Sequence, residues 1–429
     1  MSQHDFDITT SDARGGAAYR AQVNLALQAL VSNNAGSTAP AVTYPYQPWA
    51  DVDGDMLRMR SADNSAWIDV MVLSTARPVY VPEAVSSAEI GYLRGVTSSI
   101  QDQLDGRSIF RNKIINGDMR IDQRNAGASI TPSYGNTYSV DRWYGALSQA
   151  SKVSLQQSDS APAGFSHSLL ITSLSSSDVP TGNSFAVRQA IEGVNVSDLS
   201  WGSTDALAIT ISFRVKSSLP GVFSGALQNS AQNRSYLFTY SISSANTWER
   251  KIITIPGDKA GTWLKNNGVG LLLHFSLGAA SDMSAAEGAW MSGDYRSASG
   301  SVSIVGTSGA TFMITGVQLE SGTIATPFEF RPYELEAVQC KRYFQIYNEA
   351  PMIVSGYGYN TSDGMRVPFG FNPMRTPPTA SIWNGSDGGS HTTMGVESIS
   401  STSCVFRTEP TAGNQGQYYS FKLKLEAEL

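Results

Sequence analysis

Apolar and polar positions along the 429-residue chain change their period several times, and each change marks a different element. Between Gly15 and Ser32, Ala18, Val23, Leu25, Leu27, Leu30 and Val31 interrupt a polar run, which predicts one short helix. Asp12 is placed to cap it, and the stretch from Asn33 to Ser37 to stop it. Met56, Leu57 and Met59, then Trp67, Ile68, Val70 and Val72, fall on two runs separated by turn signals at Asp53-Gly54 and Ser61 to Ser65. That pattern predicts a small antiparallel meander. From Val85 to Gly106 the apolar residues Leu93, Val96, Ile100 and Leu104 form a single helical stripe, opposite Arg94, Ser98, Asp102 and Asp105. Such a stripe buries itself either on copies of itself or on its own chain, and periodicity alone admits both.

From Phe110 to about Pro332, short strand candidates recur with turn signals between them. They are Leu207 to Val215, Ser235 to Ile242, Trp248 to Ile255, Val269 to Leu277, Ser301 to Val305 and Ala310 to Leu319. In the first, Ile209, Ile211, Phe213 and Val215 alternate with small or polar residues, as a half-buried strand requires. The spacing predicts an antiparallel β-sandwich of jelly-roll size. Pro332 to Tyr347 is helical in composition, after which strands resume to the end, with Asn384 to Thr393 as the longest loop.

Composition sharpens this picture. Only 15% of residues are charged, which argues against a helical bundle, while 10% aromatics argue against disorder. A net charge of −6 excludes nucleic acid as the expected partner. Cys340 and Cys404 are too few for a disulfide framework. No apolar run approaches a bilayer span, so no membrane insertion is expected. The N-terminal residues lack a basic and apolar leader pattern, which leads us to expect synthesis in a reducing cytoplasm. The segment Asp51 to Asp55 suggests a calcium loop, but Gly54 stands fourth and the twelfth position is Ala62, so a turn is the better reading.

MSQHDFDITTSDARGGAAYRAQVNLALQALVSNNAGSTAPAVTYPYQPWAD, with the hairpin ending SAWIDV, is similar to the virion-proximal end of bacteriophage tail-fibre proteins. SSAEIGYLRGVTSSIQDQL resembles a linker of trimeric phage fibres. NKIINGDMRIDQRNAG, SVDRWY, TISFRVKSS, NTWERKIITIPGDKAGTW and TGVQLESGTIATPFEFRPYELEAVQCKRYFQIY resemble carbohydrate-binding-module-like jelly rolls of phage fibres. Residues beyond 347 fall outside the resemblance. It implies an elongated, mainly β homotrimer, with Leu93, Val96, Ile100 and Leu104 as the three-stranded junction. Its parts would be a virion-attachment domain at 1–80, a helical trimerisation linker at 81–109, a jelly-roll β-sandwich at 110–332 and a β-rich receptor-binding tip at 333–429. The expected partners are further copies of the chain, a phage tail, baseplate or adaptor protein at residues 1–80, and a host surface polysaccharide or protein receptor. The expected setting is the virion, as a tail fibre. A glycan-degrading fibre and a purely architectural collar or head fibre are the alternatives.

The candidate chemistry favours binding over catalysis. Glycoside hydrolysis needs two carboxylates roughly 5–10 Å apart, and Asp178, Asp198, Asp205, Asp258, Asp282 and Asp294 are scattered through turns. There is no GxSxG elbow, and His4, His167, His274 and His391 are dispersed, so no enzyme, cofactor or metal is expected. His274, inside LLLHFSL, is read as a core or sheet-face residue, and Cys340 as a small buried hydrophobe. Sugar recognition pairs aromatic faces with planar amides or carboxylates. Tyr357, Tyr359, Asn360, Asp363 and Arg366, with Trp383, Asn384, Asp387 and His391, supply both in the C-terminal region. The competing reading has Tyr357, Tyr359 and Trp383 plug the interior of a small β-domain or its trimer interface; it is favoured for the two tyrosines and left open for Trp383. Among Trp143, Trp201, Trp248, Trp263 and Trp290, the motif residues Trp143 and Trp248 are read as core and Trp290 as a surface candidate.

Overall fold

The computed structural model describes residues 16–73, 79–80, 110–358, 366–387, 391–410 and 415–429. Contacts divide the chain into two compact units, Met1–Leu104 and Asp105–Leu429. Asp12, Leu93, Val96, Ile100 and Leu104 lie outside the described residues. In the first unit, helix α1 (Gly16–Val31) precedes strands β1 (Pro48–Asp51), β2 (Met56–Arg60), β3 (Trp67–Val72) and β4 (Val79–Tyr80). These pair in chain order as an antiparallel meander. The helix stops where expected: Asn33 and Asn34 turn left-handed (φ 54° and 52°), and Asn34 N–H donates to Ala29 O at 2.7 Å. Asp51 Oδ1 accepts from Gly54 N–H at 3.0 Å, so this segment is a turn. Trp49 and Trp67 pack at 5.2 Å, with Arg58 over the first ring and Arg60 over the second.

The second unit opens with strands β5 (Gly135–Tyr138), β6 (Tyr144–Leu147), β7 (Val153–Ser158), β8 (Ser168–Ser173), β9 (Ser184–Glu192), β10 (Ile209–Ser217) and β11 (Gly221–Gln228). It continues with β12 (Arg234–Ile242), β13 (Glu249–Ile255), β14 (Val269–Ala279), β15 (Ser284–Ala285), β16 (Trp290–Ser292), β17 (Ser297–Ala298) and β18 (Thr311–Ser321). Two antiparallel sheets result, one ordered β13-β10-β18-β8-β7 and the other β16-β12-β11-β14-β9-β6-β5. The chain is mainly β, and its sandwich has the two-sheet form of a jelly roll. Period-two alternation puts Ile209, Ile211, Phe213 and Val215 between the sheets with Trp143, Phe185, Phe223, Phe275 and Phe312, all fully buried.

Three strand-level expectations change. Of the loop expected from Asn384 to Thr393, Asn384 to Asp387 and His391 to Thr393 are strand. Residues 301–305 form no ladder strand. Instead Val302 N–H donates to Val222 O and Val305 N–H to Leu277 O, and Ile304 and Val305 plug the core from a coil. Trp248 is half-buried and not core, because β13 begins one residue later; its ring lies under the Lys216 ammonium at 5.2 Å. Trp143 is fully buried as expected, and its indole N–H donates to Asn116 O at 3.0 Å.

The seven-stranded sheet is covered on its outer face as well, by the excursion that carries β15, β16 and β17. Gln228 Nε2 donates to Asp294 Oδ1 at 2.8 Å, Ser224 and Ser297 hydroxyls meet at 2.8 Å, and Arg296 donates to Ser184 Oγ at 2.9 Å. Beneath this cover lie His274 and its cross-strand neighbour Arg188, both buried. Neither ring nitrogen of His274 has a hydrogen-bond partner among the described residues. Burial, followed by the Arg188 and Arg296 charges, holds its pKa well below the ordinary histidine value. Burial also draws Arg188 down to about 10.

The rest of the chain forms helix α2 (Tyr333–Lys341) and strands β19 (Phe344–Gly358), β20 (Arg366–Gly370), β21 (Thr379–Asp387), β22 (His391–Glu397), β23 (Ser403–Pro410) and β24 (Gln415–Glu426). Two three-stranded sheets, β19-β24-β21 and β20-β23-β22, enclose Met374, Cys404, Phe406, Phe421, Leu423 and Leu425. The helix ends before Tyr347, the limit that composition suggested. Tyr343 and Phe344 are drawn instead into a seam with the sandwich, where Ala427 N–H donates to Tyr343 O at 2.8 Å.

That seam is polar and buried. The Arg142 guanidinium, 1% exposed, pairs with the Glu428 carboxylate, donates to Ala190 O at 2.6 Å and lies 3.5 Å over the Tyr343 ring. Burial pulls the Arg142 pKa down, and Glu428 together with Tyr343, Tyr138 and Cys340 more than offsets this, leaving it above the ordinary value. Arg124 donates to Glu426 and Glu428, each at 2.8 Å, and covers Phe344 at 3.7 Å. Glu192, completely buried, accepts from Arg342 at 2.8 and 2.6 Å and from the Tyr343 hydroxyl at 2.8 Å. Burial, above all, pushes that hydroxyl up to about 12. Removing one partner of a buried pair costs about 3–5 kcal/mol, because the other charge is left uncompensated.

The buried histidine sets a pH dependence. Unfolded His274 gains a proton near its ordinary pKa while the folded form stays neutral, so stability falls as pH drops below about 6.5. The slope from this one group is about 1.4 kcal/mol per pH unit. In denaturant titrations between pH 7 and pH 5, His274→Leu is expected to lose less stability on acidification than the parent. The subtraction cancels other titrations, such as that of Asp141, which burial pushes up to about 7. Parallel pH profiles would contradict the assignment.

Candidate functional site

Strand register gathers the C-terminal candidates at one end of the two small sheets. Phe344 and Thr379 both face Glu426, which Arg124 ties to the seam. At the other end Gly358 faces Gln415 and Asp387 faces Tyr419. With a rise of about 3.3 Å per residue, β24 carries the far end roughly 36 Å from the Phe344–Glu426 pair, while β19 takes up extra residues at a register shift between Tyr347 and Met352. In the partner sheet, Arg366 faces Arg407 and His391 faces Pro410. The strand ends Gly358, Arg366, Asp387, His391, Pro410 and Gln415 therefore all lie toward this far end.

The backbones of Tyr357, Arg366, Asp387 and His391 are thus brought to the far end, with Trp383 and Asn384 a few residues up β21. Tyr359, Asn360 and Asp363 lie outside the described residues, as do the side chains of Tyr357, Asn384, Asp387 and His391. Arg366 is exposed, and its Nε donates to Glu397 Oε1 at 2.7 Å, a surface pair of little energetic weight. Ile382 packs on the core of these sheets, so alternation turns its neighbour Trp383 to the opposite face, where it is half-buried. A register shift between Trp383 and Ser386 bends β21 at that point.

Trp290 stands apart from this group, on the sandwich. Its indole N–H donates to Pro256 O at 2.7 Å, and its ring meets Trp201, Tyr236 and Trp263 at 5.2, 5.3 and 5.4 Å. Trp201 and Trp263 are buried, and Trp290 is the half-buried outer member of the cluster. The structure does not bring Trp290 together with the C-terminal candidates.

Both cysteines are buried, and burial raises the Cys404 thiol to about 11, consistent with a small apolar side chain. Among the described residues, no three His, Cys, Asp or Glu side chains converge as metal ligands would. The polar groups that position the candidate end, Glu192 and Glu428, escaped sequence reasoning. Arg142 and Glu428 are 286 residues apart, so no local pattern joins them. The available signal was the pair of charged residues directly preceding Trp143 in SVDRWY.

No family model matches the chain, and no curated protein matches it. Solved structures do show similarity. The enzymatically active domain of bacteriophage CBA120 tailspike protein 4 is 12% identical with a TM-score of 0.28, over 50% of this chain and 22% of that one. The CBM22-1 xylan-binding domain from Paenibacillus barcinonensis is 13% identical with a TM-score of 0.24, over 47% of this chain and 99% of the domain. The family 11 carbohydrate-binding module of a Clostridium thermocellum cellulosomal cellulase is 13% identical with a TM-score of 0.23, over 46% of this chain and all of the module (100%).

Proposed function

We propose that the chain is a trimeric phage tail fibre that attaches the virion to a glycan or protein receptor on the host surface, without cleaving it. Residues 1–80 would join it to the tail, baseplate or an adaptor, and 81–109 would trimerise it. The observation that carries the reading is the shared far end of the two C-terminal sheets. The backbones of Tyr357, Arg366, Asp387 and His391 are brought there by register, at the end away from the buried seam. Connections held on a rigid β-scaffold are where recognition residues usually sit. The ordered resemblance of residues 1–347 to fibre segments supports the same reading. Three shallow sites on one trimer also gain effective concentration, so each contact can be weak.

One preparation tests both parts. Purified protein at micromolar concentration should scatter light as three chains, and should be retained on immobilised bacterial surface polysaccharide without releasing new reducing ends. Trp383→Ala is expected to weaken retention by about tenfold, the effect of one lost contact of about 1.4 kcal/mol. A monomer would overturn the trimer, and released oligosaccharide would overturn binding without cleavage. Full retention by Trp383→Ala would move the contact away from β21.

A further inference from the structure

The outer face of the five-stranded sheet carries an unusual pair. Arg214 on β10 and Arg250 on β13 are direct cross-strand partners, so both side chains stand on the same face as close neighbours. Like charges so placed repel each other. Among the described residues neither guanidinium meets a carboxylate, and Arg250 Nη2 has only Thr326 O at 3.3 Å. Lys216, two positions from Arg214 on the same face, contacts a hydroxyl, Ser160 Oγ at 2.9 Å, and the Trp248 ring. Three cations therefore share one face of a chain whose net charge is −6.

The arginines line an open cleft of about 430 Å³ with Phe165, Phe328 and Phe330. The three rings contact one another at 4.8–5.2 Å, and Phe330 is 54% exposed. A β-bulge shapes the floor. Ser212 faces Gln318 but Arg214 faces Thr315, so β18 carries one extra residue here. Within that irregularity Gly316 has φ +60°, and a Cβ at this position would lie 2.6 Å from the Phe165 ring. Glycine thus permits both the bulge and the seating of Phe165.

We propose that this cleft binds a carboxylate-bearing saccharide. The planar forks of Arg214 and Arg250 hold the carboxylate and remove their mutual repulsion. The phenylalanine rings take the apolar C–H face of the sugar ring, a combination of apolar walls and few polar anchors common to ligand clefts. An inorganic anion would use the arginines and leave the rings idle. This site is distinct from the far end of the C-terminal sheets, so either assignment can fail alone.

The test is calorimetric titration of the full-length protein with a panel of uronate- and sialate-containing oligosaccharides, their methyl esters and inorganic phosphate. At least one acid should bind, with its ester and phosphate at least tenfold weaker, and added salt should weaken it further. Arg214→Gln and Arg250→Gln should each weaken that acid by tenfold or more while leaving the melting temperature unchanged or raised, since a repulsion is removed. Phe330→Ala should weaken it as well, and Trp383→Ala should not. Binding of no acid in the panel, equal affinity for acid and ester, equal affinity for phosphate, or unaltered binding by the arginine variants would each overturn the proposal.

Discussion

The second unit is organised around one buried charge. The Arg142 guanidinium sits buried between the sandwich and the strand end at 426–429, and its pairing with Glu428 makes that position tolerable. Around it, Arg124 reaches Glu426 and Glu428, while Glu192 receives Arg342 and Tyr343. Each acid draws partners from a distant stretch of chain. The seam therefore forms only when residues 116–144, 190–192, 331–345 and 426–429 are all in place. A shift of register would leave these charges buried without partners, a cost that an apolar interface of equal area would not carry.

That fixed register gives the far end its geometry. β19 and β24 span antiparallel between the seam and the far end, so the strand ends Gly358 and Gln415 are placed there by the ladder. The sandwich itself uses the two faces of its sheets differently. One sheet is sealed on its outer side by the excursion that buries His274 and Arg188, while the other leaves Arg214 and Arg250 beside an aromatic cleft.

Much of the framework was legible in the sequence because it rests on local periodicity. Alternation in residues 207–215 located β10, and the helix stop at Asn33 followed from residues that tolerate a left-handed backbone. Trp143 as core and His274 inside a sheet were also readable, since each lies in a run of strand-forming residues. Residues 301–305 failed for a physical reason: Ile304 and Val305 are apolar because they plug a core, and a plug needs no ladder. Trp248 failed because its motif places it at a strand entrance. Of the candidate site, the clustering of Tyr357, Arg366, Asp387 and His391 is a consequence of register between strands far apart in sequence. The Arg214–Arg250 pairing was invisible for the same reason.

The most direct test of this account is a double-mutant cycle across the seam. Arg142→Met, Glu428→Gln and the double variant would be compared with the parent by denaturant unfolding at pH 7. If the buried charge needs its partner, each single variant loses about 3 kcal/mol or more. The double variant then loses clearly less than the sum, with a coupling of about 2 kcal/mol. Strictly additive losses, or single losses below about 1 kcal/mol, would show that the seam does not depend on this pair.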